Sequence, residues 1–148
     1  MSQPPRLLGI HHAAIICSDY ARSRQFYTVT LGLKILAEHY RAERDSYKLD
    51  LLLPDGAQIE LFSFPHPPAR VSRPEACGLR HLAFRVADLA AWHTHLSAQG
   101  VQPEAIRTDE YTGKRFFFFA DPDDLPLELY EQTSAQGAAS RHTAELPA

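Results

Sequence analysis

The sequence predicts an α+β fold in which each half of the chain runs strand, helix, then three strands. Two observations carry this expectation. Extended segments dominate and the helical patterns are too few for a doubly wound sheet. The order of elements also repeats at about half the chain length, which is self-similarity on the scale of a whole module.

The elements follow in order. Leu7 to Cys17 is an apolar run that reads as a strand, and Ser18-Asp19 offers an N-cap for the helix behind it. That helix carries Tyr20, Phe26, Tyr27 and Leu31 and stops at Gly32. Leu33 to Ala42, Ser46 to Pro54 and Ala57 to Phe64 read as strands, the last two joined by the hairpin signal Asp55-Gly56. Pro65, Pro67, Pro68 and Pro74 then make 65–78 a linker. The second half opens with the strand Leu79 to Val86, and Asp88 caps a helix with an apolar stripe of Leu89, Trp92 and Leu96, stopped by Gly100. Pro103 to Arg107, Arg115 to Ala120 and Leu125 to Glu131 complete it, with a turn at Asp121-Pro122-Asp123-Asp124. The expected organisation is one domain over 1–132, with module one at 7–64, module two at 79–131, and a flexible tail over 133–148.

Composition excludes several classes of function. The 148 residues are 45% hydrophobic, enough to bury roughly two-thirds of the unfolded surface. Lys and Arg total 15 against 18 Asp and Glu, a net charge of −3, which leaves no basic excess for gripping phosphates. No apolar run approaches the ~20 residues of a membrane span, and no signal-peptide stretch follows the polar N-terminus. Cys17 and Cys77 make neither a disulfide framework nor a zinc knuckle. A cytoplasmic protein without nucleic-acid or membrane partners is expected.

Aligning the halves brings four polar residues into view. His12 and His81 take the same place in the opening strands, within Gly9-Ile10-His11-His12-Ala13-Ala14 and Gly78-Leu79-Arg80-His81-Leu82-Ala83. Glu60 and Glu128 do so in the closing strands, within Ile59-Glu60-Leu61 and Leu127-Glu128-Leu129. Glu60 follows His12 by 48 residues and Glu128 follows His81 by 47. Each glutamate faces away from its aliphatic neighbours. On the inside of a curved sheet, an unpaired carboxylate would cost several kcal/mol or be driven to protonate. Two imidazoles and two carboxylates converging on a divalent cation remove that cost. The other histidines carry no such pattern. His11 should point away from His12, His93 and His95 face different ways, and His39, His66 and His142 have no partner in view.

At these residues the sequence resembles the vicinal oxygen chelate superfamily, and within it the glyoxalase-I-like metalloproteins of the glyoxalase/bleomycin resistance/dioxygenase fold. The Tyr27 to Leu33 stretch and the Asp121-Pro122-Asp123 turn before Leu127-Glu128-Leu129-Tyr130-Glu131 share the likeness, which spans about Leu7 to Gln132. The resemblance implies two tandem βαβββ modules forming a curved mixed sheet around one metal site, with His12, Glu60, His81 and Glu128 as ligands. It implies one divalent ion per site (Ni, Co, Zn, Mn or Fe) and a homodimer. The implied activity is that of a glyoxalase-I-type lyase or isomerase acting on a small oxygen-chelating substrate through an enediolate-type intermediate. Glu128 is then the first candidate for general base and Glu60 the second. The alternatives are a ring-cleaving, extradiol-type dioxygenase and a non-catalytic small-molecule binding or resistance protein. The second glutamate weighs against the dioxygenase, and the intact ligand pairs weigh against simple binding.

The chain departs from bacterial glyoxalase I where glutathione would be held. Ile16 stands in place of an Arg and Phe64 in place of an Asn. Other cations could select an anionic substrate. Arg41, Arg44, Asp45, Tyr47 and Lys48 form one charged stretch, and Tyr111, Lys114 and Arg115 precede Phe116 to Phe119. Arg44, Lys48, Lys114 and Arg115 are the candidate substrate-binding residues, because a guanidinium or ammonium suits a carboxylate or phosphate. The four phenylalanines put two rings on each face, so both faces need cover, one of them in a dimer interface.

Overall fold

The computed structural model describes residues 3–132. Strand β1 (His12–Cys17) leads to helix α1 (Tyr20–Gln25), which continues as a π-helical turn over Phe26–Thr30. Strands β2 (Lys34–Arg41), β3 (Ser46–Leu52) and β4 (Gln58–Ser63) complete the first module. The second repeats the order with β5 (Leu82–Val86), α2 (Leu89–Ala98), β6 (Arg107–Thr108), β7 (Arg115–Ala120) and β8 (Pro126–Glu131). The α+β class and the doubled βαβββ order stand as expected from the sequence. The strands form two four-stranded sheets, ordered β1-β4-β3-β2 and β5-β8-β7-β6. In each, the opening and closing strands pair in parallel and the remaining pairs are antiparallel.

Among the described residues the chain divides into two compact units, 3–71 with Asp121–Leu125 and 72–120 with 126–132. In the first unit strand alternation sorts side chains into two sets. Ile15, Cys17, Leu49, Leu51, Ile59 and Leu61 are buried together with Phe26, Tyr27 and Leu31. Helix α1 sits against β4, so this is the covered face. Asp19 caps α1 by accepting from Arg22 N–H. Leu31 N–H reaches back to Phe26 C=O at 2.9 Å, the wider spacing of the π turn. Tyr27, fully buried, donates its hydroxyl to Asp121 Oδ2 at 2.8 Å. Asp121 Oδ1 accepts from Asp123 and Leu125 N–H, each at 2.9 Å. Burial pushes the Asp121 carboxyl above its ordinary range, and burial also raises the Tyr27 phenol.

The second unit is sorted in the same way. Leu89, Leu96, Phe117, Phe119, Leu127 and Leu129 are buried, while Phe116, Phe118 and Glu128 take the other face of the sheet. Asp88 caps α2 through Ala91 N–H, and Gly100 ends it at φ +78°, a conformation that favours glycine.

Several elements are shorter than the sequence predicts, β1, β5 and β6 most of all. Strand β1 starts at His12 rather than Leu7, because its partner β4 begins at Gln58, the residue opposite His12. Leu7, Leu8 and Ile10 are left exposed. The Pro103 to Arg107 segment yields only β6, since Pro103 has no N–H for a ladder; Glu104 N–H still reaches Phe118 C=O at 2.8 Å. Among the described residues no helix is long and apolar enough to cross a membrane. The tail expected over 133–148, with His142, lies outside the described residues.

Candidate metal centre

Strand register assembles one His–Glu pair in each module. Glu60 lies across the parallel β1–β4 pair from Ala14, and His12 lies across from Gln58. Residues two apart share a face, so Glu60 stands diagonal to His12 on the face away from α1. His12 Nε2 is 3.6 Å from Glu60 Oε2. In the second module Glu128 lies across from Ala83, two residues after His81, and His81 Nε2 is 3.1 Å from Glu128 Oε2. The two pairs therefore have the same register.

The carboxylates sit deeper than the imidazoles. Side-chain exposure is 18% for Glu60 and 11% for Glu128, against 41% and 28% for His12 and His81. A negative charge so far from water calls for a partner. Glu60 has a strong one, Lys48 Nζ at 3.2 Å from Oε1. Lys48 also contacts Asp50, whose hydrogen bond does most to raise the lysine's proton affinity and keep it charged. Among the described residues no cationic Lys or Arg does this for Glu128; its partner is His81.

The surroundings of the imidazoles differ. His11 Nδ1 stands 2.9 Å from His12 Nδ1, with the rings edge to face. The expectation that His11 points away from His12 fails here. Alternation holds within a strand, and His11 precedes the first residue of β1. His81 packs its ring edge-on to Phe118, with centroids 5.0 Å apart, and its buried Nδ1 has no hydrogen-bond partner among the described residues.

These groups fit a divalent cation. Each histidine turns Nε2 toward a carboxylate, and two imidazoles with two carboxylates form a hard-to-borderline donor set. Among the described residues no three His, Cys, Asp or Glu side chains gather closely enough to hold a metal on their own. The donors come as two His–Glu pairs, one in each module.

Of the four residues expected to bind substrate, the structure brings Lys48 alone to a His–Glu pair. Arg44 is exposed in the short 3₁₀ turn Ala42–Arg44. Lys114 is half-buried before β7, its carbonyl accepting from Asp109 N–H at 2.8 Å. Arg115 is bound to Glu131 on the face opposite Glu128. Ile16 is exposed, and Phe64 lies under the Arg41 guanidinium with Phe62. Arg41 belongs to the charged stretch named from the sequence but is not among those four candidates. Its pairing with Ser46 puts it on the Lys48–Asp50 face, which only the β2–β3 register reveals, since alternate residues counted back from Lys48 lead to Ser46 and Arg44.

Comparison with known proteins agrees with this architecture. Over 126 residues the chain is 60% identical to the uncharacterized protein YwkD of Bacillus subtilis, covering 85% of this chain and 98% of that protein. It is 30% identical to the 2-epi-5-epi-valiolone epimerase of an Actinomyces species, over 84% of this chain and 80% of the epimerase. The crystal structure of a glyoxalase family protein from Enterococcus faecalis superposes with a TM-score of 0.78 at 46% identity, covering 84% of this chain and 98% of that one. The family model that matches residues 9–129 makes the assignment: the chain belongs to the Glyoxalase/Bleomycin resistance protein/Dioxygenase superfamily.

Proposed function

We propose that this protein is a divalent-metal lyase or isomerase acting on a small substrate with two adjacent oxygens, and that His12, Glu60, His81 and Glu128 are its cation ligands. The observation that carries the reading is the doubled register, which sets a mostly buried carboxylate beside a histidine Nε2 in each module. Whether one chain or two supply the pairs to a given ion is left to the oligomeric state; a homodimer is the expected unit, given exposed Leu7, Leu8 and Ile10.

A divalent ion bound there supplies Lewis-acid stabilisation of negative charge on the substrate's oxygens. The chain's own residues divide the remaining work. Lys48 tethers Glu60 and makes it the fixed carboxylate. Glu128, held among the described residues by His81 alone, is free to swing an oxygen toward a carbon-bound proton and serves as the general base. Phe116 and Phe118 share its face and keep water from that carboxylate. The relative named as an epimerase supports chemistry at a carbon centre over oxygen insertion.

The test is proton exchange. Metal-loaded protein is incubated in D₂O with a panel of small 2-hydroxy and 2-oxo acids and followed by proton NMR. Loss of a carbon-bound proton signal from at least one acid is expected, and Glu128→Gln should abolish it. Exchange that persists in Glu128→Gln would remove Glu128 from the role, and no exchange with any member would count against proton-transfer chemistry.

A further inference from the structure

We propose that Arg41 is the anion-recognition residue of the site, holding a carboxylate on the part of the substrate that does not reach the metal. The inference rests on the proposed metal chemistry and specifies its substrate class as a 2-hydroxy or 2-oxo acid with a second, distal carboxylate.

Three features set Arg41 apart from the other cations on this face. The first is its place. Arg41 pairs with Ser46 across the β2–β3 hairpin, Lys48 faces Phe62, and Asp50 faces Glu60. Its guanidinium carbon lies 5.1 Å from the Phe62 ring centre, and Phe62 is two residues beyond Glu60 on the same face, roughly 7 Å along the strand. Arg41 and the Glu60 carboxylate thus share one face of the sheet, with room between them for a small acid.

The second is that the guanidinium is held still. Nη2 donates to Ser46 Oγ at 2.8 Å, and the plane rests over both Phe62 and Phe64, the latter at 5.8 Å. Stacking on aromatic faces fixes a planar cation without neutralising it. A pre-positioned guanidinium loses little freedom when it closes on a carboxylate.

The third is unmet hydrogen bonding. Arg41 Nε is buried and has no hydrogen-bond partner, and among the described residues no carboxylate forms an ion pair with Arg41. Lys48, by contrast, already answers to Asp50 and Glu60. Its charge is committed within the cluster, whereas that of Arg41 is available. A buried N–H without an acceptor is costly, and an incoming carboxylate supplies acceptors in the planar geometry guanidinium prefers.

The experiment compares two probes that offer the same adjacent oxygens. Malate carries a distal carboxylate and lactate a methyl group. Both are titrated calorimetrically into manganese-loaded protein, with metal content measured separately, and malate is also titrated into metal-free protein. Malate should bind the loaded protein roughly tenfold to a hundredfold more tightly than lactate, the span of one charge-assisted pair. Arg41→Met should erase that preference while leaving lactate affinity and manganese content unchanged. Arg41→Lys, which keeps the charge but loses the planar fork, should restore only part of it. Equal affinities in the wild type, or a preference that survives Arg41→Met, would overturn the proposal. Failure to take up manganese would instead overturn the metal reading; malate binding to metal-free protein that still depends on Arg41 would then support the anion site by itself, and its absence would refute it.

Discussion

Lys48 reaches across from β3 to Glu60, its Nζ 3.2 Å from Oε1, so the first module's carboxylate meets a cation before any metal arrives. Among the described residues Glu128 has no such tether. The two halves share their register and differ in electrostatics, and under the proposed function that difference would give the two glutamates separate roles.

Under the proposed function, Lys48 would compete with a divalent ion for Glu60. Lys48→Met should tighten metal binding by at least about tenfold, because a unit charge ~5 Å from a divalent ion costs several kcal/mol at an effective dielectric of ~20. Competition against a chromophoric chelator reads this directly. Weaker binding in Lys48→Met would show that the lysine's main contribution is to orient Glu60.

The glutathione arm should be poorly held. Ile16 is exposed and apolar, and Phe64 supports Arg41 instead of contributing a polar amide. Two missing polar contacts forgo about 3–4 kcal/mol, a loss of several hundredfold. Steady-state kinetics with the methylglyoxal–glutathione hemithioacetal should give kcat/KM well below ~10⁵ M⁻¹s⁻¹ on nickel- or zinc-loaded protein.

Tyr27 and Asp121 make a buried pair that the sequence does not announce. Tyr27→Phe removes the donor to Asp121 Oδ2 and leaves a buried oxygen unsatisfied. The expected loss is about 1–3 kcal/mol of stability, read by urea unfolding.

Glu38 provides a pH-dependent contribution. The Tyr20 hydroxyl, and after it Arg24, hydrogen-bond its carboxylate and hold it below the ordinary glutamate value of 4.5. A carboxyl lowered on folding contributes stability that is present above its unfolded value and lost as pH falls through its folded value. Glu38→Gln should flatten the stability profile from about pH 5 downward and cost under ~1 kcal/mol at pH 7, because the pair is partly exposed. Unfolding curves at pH 7, 5 and 3 check both.

The fold was legible because local signals and pattern agree. Asp19 and Asp88 read as caps and act as caps, and Asp55-Gly56 reads as a turn, with Gly56 at φ +92°. The His–Glu pairs were legible because duplication repeats their spacing. What the sequence concealed depends on contacts between segments far apart in the chain. Arg115 resembled a substrate cation until β7–β8 pairing gave it Glu131. Arg41 resembled ordinary hairpin charge until the ladder laid it over Phe62 and Phe64. His11 was misplaced because alternation was extended past the end of β1.

Elemental analysis of the protein after incubation with nickel, cobalt, manganese or zinc at pH 8, followed by desalting, tests the central claim most directly. About one equivalent of a divalent ion per chain is expected, falling steeply in His81→Ala and in Glu60→Ala alike, because each module supplies half the donors. His66→Ala, at an exposed position outside the strands, should retain it. Protein that stays metal-free with all four ions, or that keeps its metal when either pair is broken, would contradict the account.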